Sequence, residues 1–197
     1  MLCAQGIDNC RKLLESTREM VETTRYEETG RIGEIEIREY PELVLATVTG
    51  LSDNSAFGIL FNYISGKNRK QKKIPMTAPV ITSEKIEMTT PVISDPNSFS
   101  FVMPLKYRVE DIPEPLDARI RIQSIAARKL AVIRFKGYAK EKSVDEVKSR
   151  LLSILQKNGT VTVGEPFLMR YNSPWTPGFM RRNEVGIEIA QTADASD

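Results

Sequence analysis

The sequence contains no histidine at all. That absence removes the commonest general base and the commonest transition-metal ligand, and with them any Ser-His or Cys-His nucleophile. Cysteine is nearly absent too. Cys3 and Cys10 are the two thiols; in a helical segment their spacing separates them by roughly 10 Å of rise, too far for an intrachain disulfide. No CxxC or zinc spacing occurs, and GxxxxGK[ST], GxGxxG and GxSxG are all missing, so the usual phosphate, dinucleotide and nucleophile-elbow chemistries lack their scaffolds. No apolar run is long enough for a membrane helix. Asp8, Arg11, Lys12, Glu15, Arg18 and Glu19 interrupt any signal-peptide hydrophobic region, so a cytoplasmic location is expected. A net charge of +2 offers no global argument for nucleic acid. The remainder is ordinary: 197 residues, 41% hydrophobic and 27% charged, enough for one good core or two small ones.

What is present is a repeated phrase. Met76-Thr-Ala-Pro-Val-Ile81 recurs as Met88-Thr-Thr-Pro-Val-Ile93, five of six positions agreeing twelve residues apart. Thr, Val and Ile favour strands, and the polar Thr82–Glu87 segment between the copies suggests a hairpin. Pro79 and Pro91 donate no backbone hydrogen bond, which predicts sheet edges or bulges. Two edge strands bearing Met76 and Met88 form either a protected sheet edge over core methionines or an apolar rim that admits a ligand.

Before this phrase, Asp8–Thr24 has the apolar spacing of an appended helix. Gly30–Tyr40 alternates as one strand with a bulge after Gly33, its Glu34 and Glu36 forming a solvated face beside Arg31 and Arg38 rather than an acid/base pair. Leu43–Thr49 is a second strand. Asp53–Gly66 is a helix with a core stripe of Phe57, Leu60, Phe61 and Ile64. Ile59 and Tyr63 form a second apolar pair on its other side, either packing under the N-terminal helix or lining a ligand site. Lys67, Arg69, Lys70, Lys72 and Lys73 follow the helix at once. They suit its C-terminal dipole, and form either a solvated loop or a clamp for carboxylates or phosphates.

Further strands are expected over Ser98–Tyr107, Ala118–Ser124, Lys129–Phe135, Phe167–Tyr171 and Val185–Ile189, and a second helix over Ser143–Asn158. Ala193–Asp197 has the composition of a disordered tail. At an offset of 87 residues, Leu43 and Gly50 fall on Leu130 and Gly137, and Phe57, Leu60 and Ile64 fall on Val144, Val147 and Leu151. The fold expected is therefore α+β: a distorted antiparallel β-barrel with two helices, a pseudo-twofold duplication of one strand/helix/strand unit. Residues 29–190 form one domain with repeats at about 32–107 and 118–190, after a helical extension over 1–28 and before a tail over 191–197. The loop from Pro174 to Met180 holds the single tryptophan, Trp175, with Phe179 and Met180. These groups offer flat, adaptable contacts for a large planar ligand, or simply cap the barrel. Arg181-Arg182-Asn183-Glu184 is expected to pin the last strand through guanidinium–carboxylate forks.

The doubled MTxPV phrase after a helix and a lysine-rich turn resembles the SOUL haem-binding protein family. Tyr26-Glu27, Glu36–Pro41, Arg128–Tyr138 and Pro174–Val185 resemble other parts of that family in order, so the likeness runs from about Tyr26 to Ile189. It implies the same duplicated barrel, a likeness to effector-binding domains of the GyrI kind, and a non-covalently bound haem or related tetrapyrrole in a shallow apolar cleft between the first helix and the loop before the RRNEV segment. Some relatives are credited with an axial histidine; this chain has none, which implies the histidine-independent type or no haem at all. Thr176 stands where some relatives carry a lysine. The ligand-binding residues expected are Ile59, Tyr63, Lys67, Arg69, Lys70, Lys72, Met76, Met88, Trp175, Phe179 and Met180, with methionine sulfur, Tyr63 or water as iron ligands. The function expected is a carrier or buffer of a small planar hydrophobic anion, monomeric, non-enzymatic, and without nucleic-acid or membrane partners. An effector-binding module, or one that accepts a partner protein helix, is the alternative.

Overall fold

A computed structural model describes residues 21–82, 98–172 and 176–190 of the protein. In chain order the strands and helices are β1 (Val21–Thr23), β2 (Glu27–Ile32), β3 (Ile35–Tyr40), β4 (Leu43–Thr49), α1 (Asp53–Ile64), β5 (Met76–Ala78), β6 (Val80–Thr82), β7 (Ser98–Val102), β8 (Arg121–Ile125), β9 (Arg128–Lys136), α2 (Glu141–Lys157), β10 (Thr162–Arg170) and β11 (Arg182–Ile189). A 3-10 turn at Gly178–Met180 precedes β11. Nine strands form one curled antiparallel sheet in the order β2-β3-β9-β11-β10-β6-β7-β4-β8, and β1 pairs with β5 in a separate parallel ribbon.

Strand alternation explains where the core sits, because successive side chains point to opposite faces. Val44, Ala46 and Val48 of β4 join Phe99 and Phe101 under α1. Ala131, Ile133, Val185 and Ile187 join Ile35 under α2. The intervening positions, such as Leu45, Leu130, Val132, Phe167 and Met169, face the other way and pack on one another where the sheet curls over itself. Both helices thus cover one face, and the opposite face closes without a helix. Arg170 of β10 donates to Asp53 at the start of α1 (2.7 Å) and to Thr82 (3.0 Å), tying the helix to the sheet.

Four expectations need correction. The helix expected to end at Thr24 does not reach it: Val21–Thr23 is extended and pairs with Met76–Ala78, and the Thr24 amide donates to the Ala78 carbonyl at 2.8 Å. The β-branched residues there find a ladder, and β2 begins at Glu27, so residues 21–28 are not helical; the preceding part of the expected extension lies outside the described residues. Gly30–Tyr40 is not one bulged strand but the β2–β3 hairpin, turning at Gly33 and Glu34 with Gly33 at φ 59°, a left-handed conformation that suits glycine. Glu36 is not solvated; it receives the guanidinium of the fully buried Arg38. Finally, the first MTxPV copy is split. Pro79, after a cis peptide bond, breaks the ladder, and β6 lies in the middle of the sheet between β10 and β7 rather than at its edge. The second copy and the expected hairpin turn lie outside the described residues.

Candidate ligand-binding site

The site grows from α1. Its buried residues are Ala56, Leu60, Tyr63 and Ile64, spaced i, i+4, i+7 and i+8, so the core stripe is turned from the one expected. Phe61 is 48% exposed and stacks on Phe57 at 5.8 Å, while Phe57 sets its edge against Phe101 at 5.5 Å. Tyr63, expected on the outer side, is only 1% exposed and donates its hydroxyl to the Pro113 carbonyl at 2.7 Å. Burial pushes its phenol up to about 12. The hydroxyl is therefore neutral and already engaged, which speaks against the expectation of Tyr63 as an iron ligand.

The basic turn after α1 is built around one residue that composition did not single out. Asn68 is buried; its amide donates to the Tyr63 carbonyl (3.1 Å) and the Lys72 carbonyl (2.7 Å), and its oxygen accepts from the Lys72 amide (3.1 Å). These bonds hold the turn in one shape, and Gln71 takes φ 48° within it. The cations Lys67, Arg69, Lys70, Lys72 and Lys73 are exposed. Arg69 pairs with Glu114 at 3.0 Å, and the Lys72 ammonium lies 5.6 Å from the Tyr107 ring.

Between the C-terminal half of α1 and the segment 116–120 lies an open concavity of about 580 Å³. Ile59, Tyr63 and Lys67 line it together, joined by Asn62, Leu116, Asp117, Ala118, Arg119 and Ile120. Its size falls within the range of small-molecule sites. The far wall, 116–120, was missed as part of a site because the sequence marked it only as the end of the Pro113–Pro115 connection and the start of the expected Ala118–Ser124 strand, which begins at Arg121 instead. At the rim, Arg119 donates to both oxygens of Asp117 (2.9 and 2.7 Å); these hydrogen bonds hold the carboxyl down at about 2. The acid is thereby neutralised, and Lys67 sets the sign of the rim.

The other expected residues are distributed elsewhere. Arg69, Lys70 and Lys72 sit on the adjoining turn, and Met76 is half-buried against the core beneath α1. Phe179 and Met180 are 80% and 62% exposed on the 3-10 turn, where Gly178 lies so close to Tyr138 that a Cβ would collide with its ring. They do not line the concavity. Met88 and Trp175 lie outside the described residues. No three acidic or cysteine side chains among the described residues group as a metal site.

A second ionic centre occupies the helix-free face. Glu184, fully buried, accepts from Arg38 at 2.6 and 3.0 Å, from Arg134 at 3.1 Å, from Arg182 at 2.9 Å and from the Tyr171 hydroxyl at 2.8 Å. Burial alone would raise its pKa, but the hydrogen bonds and charge of Arg38 outweigh it and hold the carboxyl at about 2. The fork expected of Arg182 and Glu184 is present, and Arg38 of β3 is its principal partner. This centre joins β3, β9 and β11 and leaves no oxygen of Glu184 unoccupied.

The family model described as SOUL heme-binding protein matches residues 21–188. The chain belongs to the SOUL family. Its SOUL domain is 33% identical over 162 residues to heme-binding protein 2 of Homo sapiens, covering 79% of this chain and 78% of that one. It is 31% identical over 173 residues to heme-binding protein 2 of Mus musculus, covering 79% and 82%. The EcmrR C-terminal domain shares the fold at a TM-score of 0.54 and 13% identity, over 84% of this chain and 98% of that one. No described helix is long and apolar enough to cross a membrane.

Proposed function

We propose that this SOUL domain is a non-enzymatic carrier or buffer of haem or a related tetrapyrrole, held in the concavity along α1 without histidine ligation. The observation that carries the reading is the meeting of Ile59, Tyr63 and Lys67 in one open hollow of about 580 Å³. A tetrapyrrole with acidic side chains needs apolar walls for its faces and a cation for its carboxylates. Ile59 and Leu116 supply the former. Lys67 supplies the latter, with Arg119 committed to Asp117. The names of the curated relatives point to the same ligand class. Bound haem would supply the iron chemistry; the side chains lining the hollow bind and orient. With Tyr63 engaged by Pro113, the concavity offers no free imidazole, phenol or thioether among its lining residues, so affinity rests on apolar contact.

Optical titration with haemin tests this. Wild-type protein should shift the haemin spectrum without the signature of two strong protein ligands, and Ile59→Glu should weaken binding at least tenfold, about 1.4 kcal/mol, with the native far-UV circular-dichroism signal retained. A cationic amphiphile in place of haemin should bind poorly against Lys67. Tight binding of the cation with none of haemin would favour an effector-binding module instead.

A further inference from the structure

We propose that the face formed by the basic turn and the 104–119 segment docks the protein onto an anionic lipid bilayer. The two segments make one surface. The Arg69 amide donates to the Glu114 carbonyl at 3.0 Å, Asn68 bridges to Pro115, and Tyr63 donates to Pro113. The ammonium groups of Lys72 and Lys106 each lie over the Tyr107 ring, at 5.6 and 5.5 Å from its centroid. This surface carries eight cations, Lys67, Arg69, Lys70, Lys72, Lys73, Lys106, Arg108 and Arg119, against the four carboxylates Glu110, Asp111, Glu114 and Asp117. Its net charge of +4 exceeds the +2 of the whole chain, so the remainder is net acidic. Two of the carboxylates are already held by Arg69 and Arg119.

Among these cations stand three exposed aliphatic side chains, Leu105 (39% exposed), Val109 (42%) and Leu116 (66%). Cations surrounding aliphatic side chains match a headgroup layer over acyl chains: the ammonium groups pair with acidic lipids while Lys stems and Leu side chains enter the boundary. A single-stranded nucleic acid would call for exposed rings on which bases stack, and both tyrosines of this face, Tyr63 and Tyr107, are buried. No described helix is long and apolar enough to cross a bilayer, which says nothing against lying on one. Lys67, Leu116 and Arg119 also line the concavity, so its mouth opens on the docking face. Docking itself needs no ligand in it, and is measured without one.

The test is sedimentation of the full chain with phosphatidylcholine vesicles, with and without phosphatidylserine, at low and physiological salt. Binding should require phosphatidylserine and fall with salt. Lys70→Glu with Lys73→Glu should cut the partition constant at least about tenfold, and Leu105→Ser with Leu116→Ser should cut it several-fold at both salts. Lys142→Glu with Lys157→Glu on α2 changes net charge equally and should leave it intact. The proposal is overturned by absence of serine-dependent binding, by equal loss from the α2 pair, by indifference to the Lys70/Lys73 or leucine pairs, or by an oligonucleotide or acidic peptide displacing the protein from vesicles at lower concentration. Thermal melts of each variant establish that the fold is retained.

Discussion

Two residues show how much of this molecule depends on single polar groups in low-dielectric surroundings. Glu184 accepts from three arginines and a tyrosine while buried. Removing its charge leaves Arg38 buried with only Glu36 to answer it, so Glu184→Gln should cost ~3–5 kcal/mol in urea denaturation at neutral pH. The pH dependence has a definite sign. The folded pKa lies at about 2, below its ordinary value of 4.5, so the contribution is full above pH 4.5 and is lost as pH falls toward 2. Denaturation midpoints of wild type should decline through that window, and the Gln variant should lack that part of the decline. Asn68 is the second such residue. Asn68→Ala leaves the Tyr63 and Lys72 carbonyls and the Lys72 amide without its carboxamide, a loss of about 1–3 kcal/mol, and faster amide exchange across 67–73 should accompany it. Sequence pattern pointed to the cations of this turn, which carry charge; it passed over the asparagine, which carries the shape, because an isolated Asn in a polar loop has no periodicity to betray it.

At the scale of elements, the spacing of apolar residues placed both helices but misjudged the orientation of the first. Phe57, Leu60, Phe61 and Ile64 fit a helical stripe, and so do Ala56, Leu60, Tyr63 and Ile64; α1 buries the second set. The choice was hidden because Tyr63 needs a hydrogen-bond partner to be buried, and its partner, the Pro113 carbonyl, lies 50 residues away. Leu60→Ala should therefore cost ~2–5 kcal/mol, whereas Phe61→Ala should cost well under ~2 kcal/mol because much of its ring is already in water. Equal losses from the two, measured by thermal and urea unfolding, would restore the original stripe. On α2, half-buried Val147 should lose ~1–2 kcal/mol as alanine, less than fully buried Leu151. The phrase around Pro79 was legible as a place where a ladder stops; that its two pieces would serve different sheets was not, because β1 and β10, their partners, are far away in sequence.

At the scale of the whole molecule, the 87-residue offset seen in the sequence reappears as a symmetry of hydrogen bonding. It maps β3, β4 and β6 onto β8, β9 and β10, and the sheet order, taken from β3 to β8, reads the same from either end once β7 is matched with β11. The registers agree: Glu36 pairs with Val132, and Leu45 pairs with Gln123, each being the other's counterpart under the offset. The axis passes between β6 and β10, where Ile81 meets Met169 and Thr82 meets Leu168. The copies differ where the candidate site lies. α1 has 12 residues and runs into the basic turn, whereas α2 has 17 and returns to β10 almost at once; the hollow forms between α1 and the segment 116–120 that leads into the second copy. The matching registers also mean that each repeat lends a strand to the other: β3 completes the sheet beside β9 and places Ile35 beneath α2, while β8 completes it beside β4. The core under each helix therefore includes residues of the other repeat, Ile120 and Ile122 under α1 and Ile35 under α2. Separate fragments 21–117 and 118–190 should each lack a cooperative thermal transition, and an equimolar mixture should recover one together with the β-sheet circular-dichroism signal. The intact chain should unfold in one step by both far-UV signal and amide exchange. A stable, cooperatively melting 118–190 fragment would show that the repeats are self-sufficient, and that the exchange of strands between them is an embellishment of two independent cores.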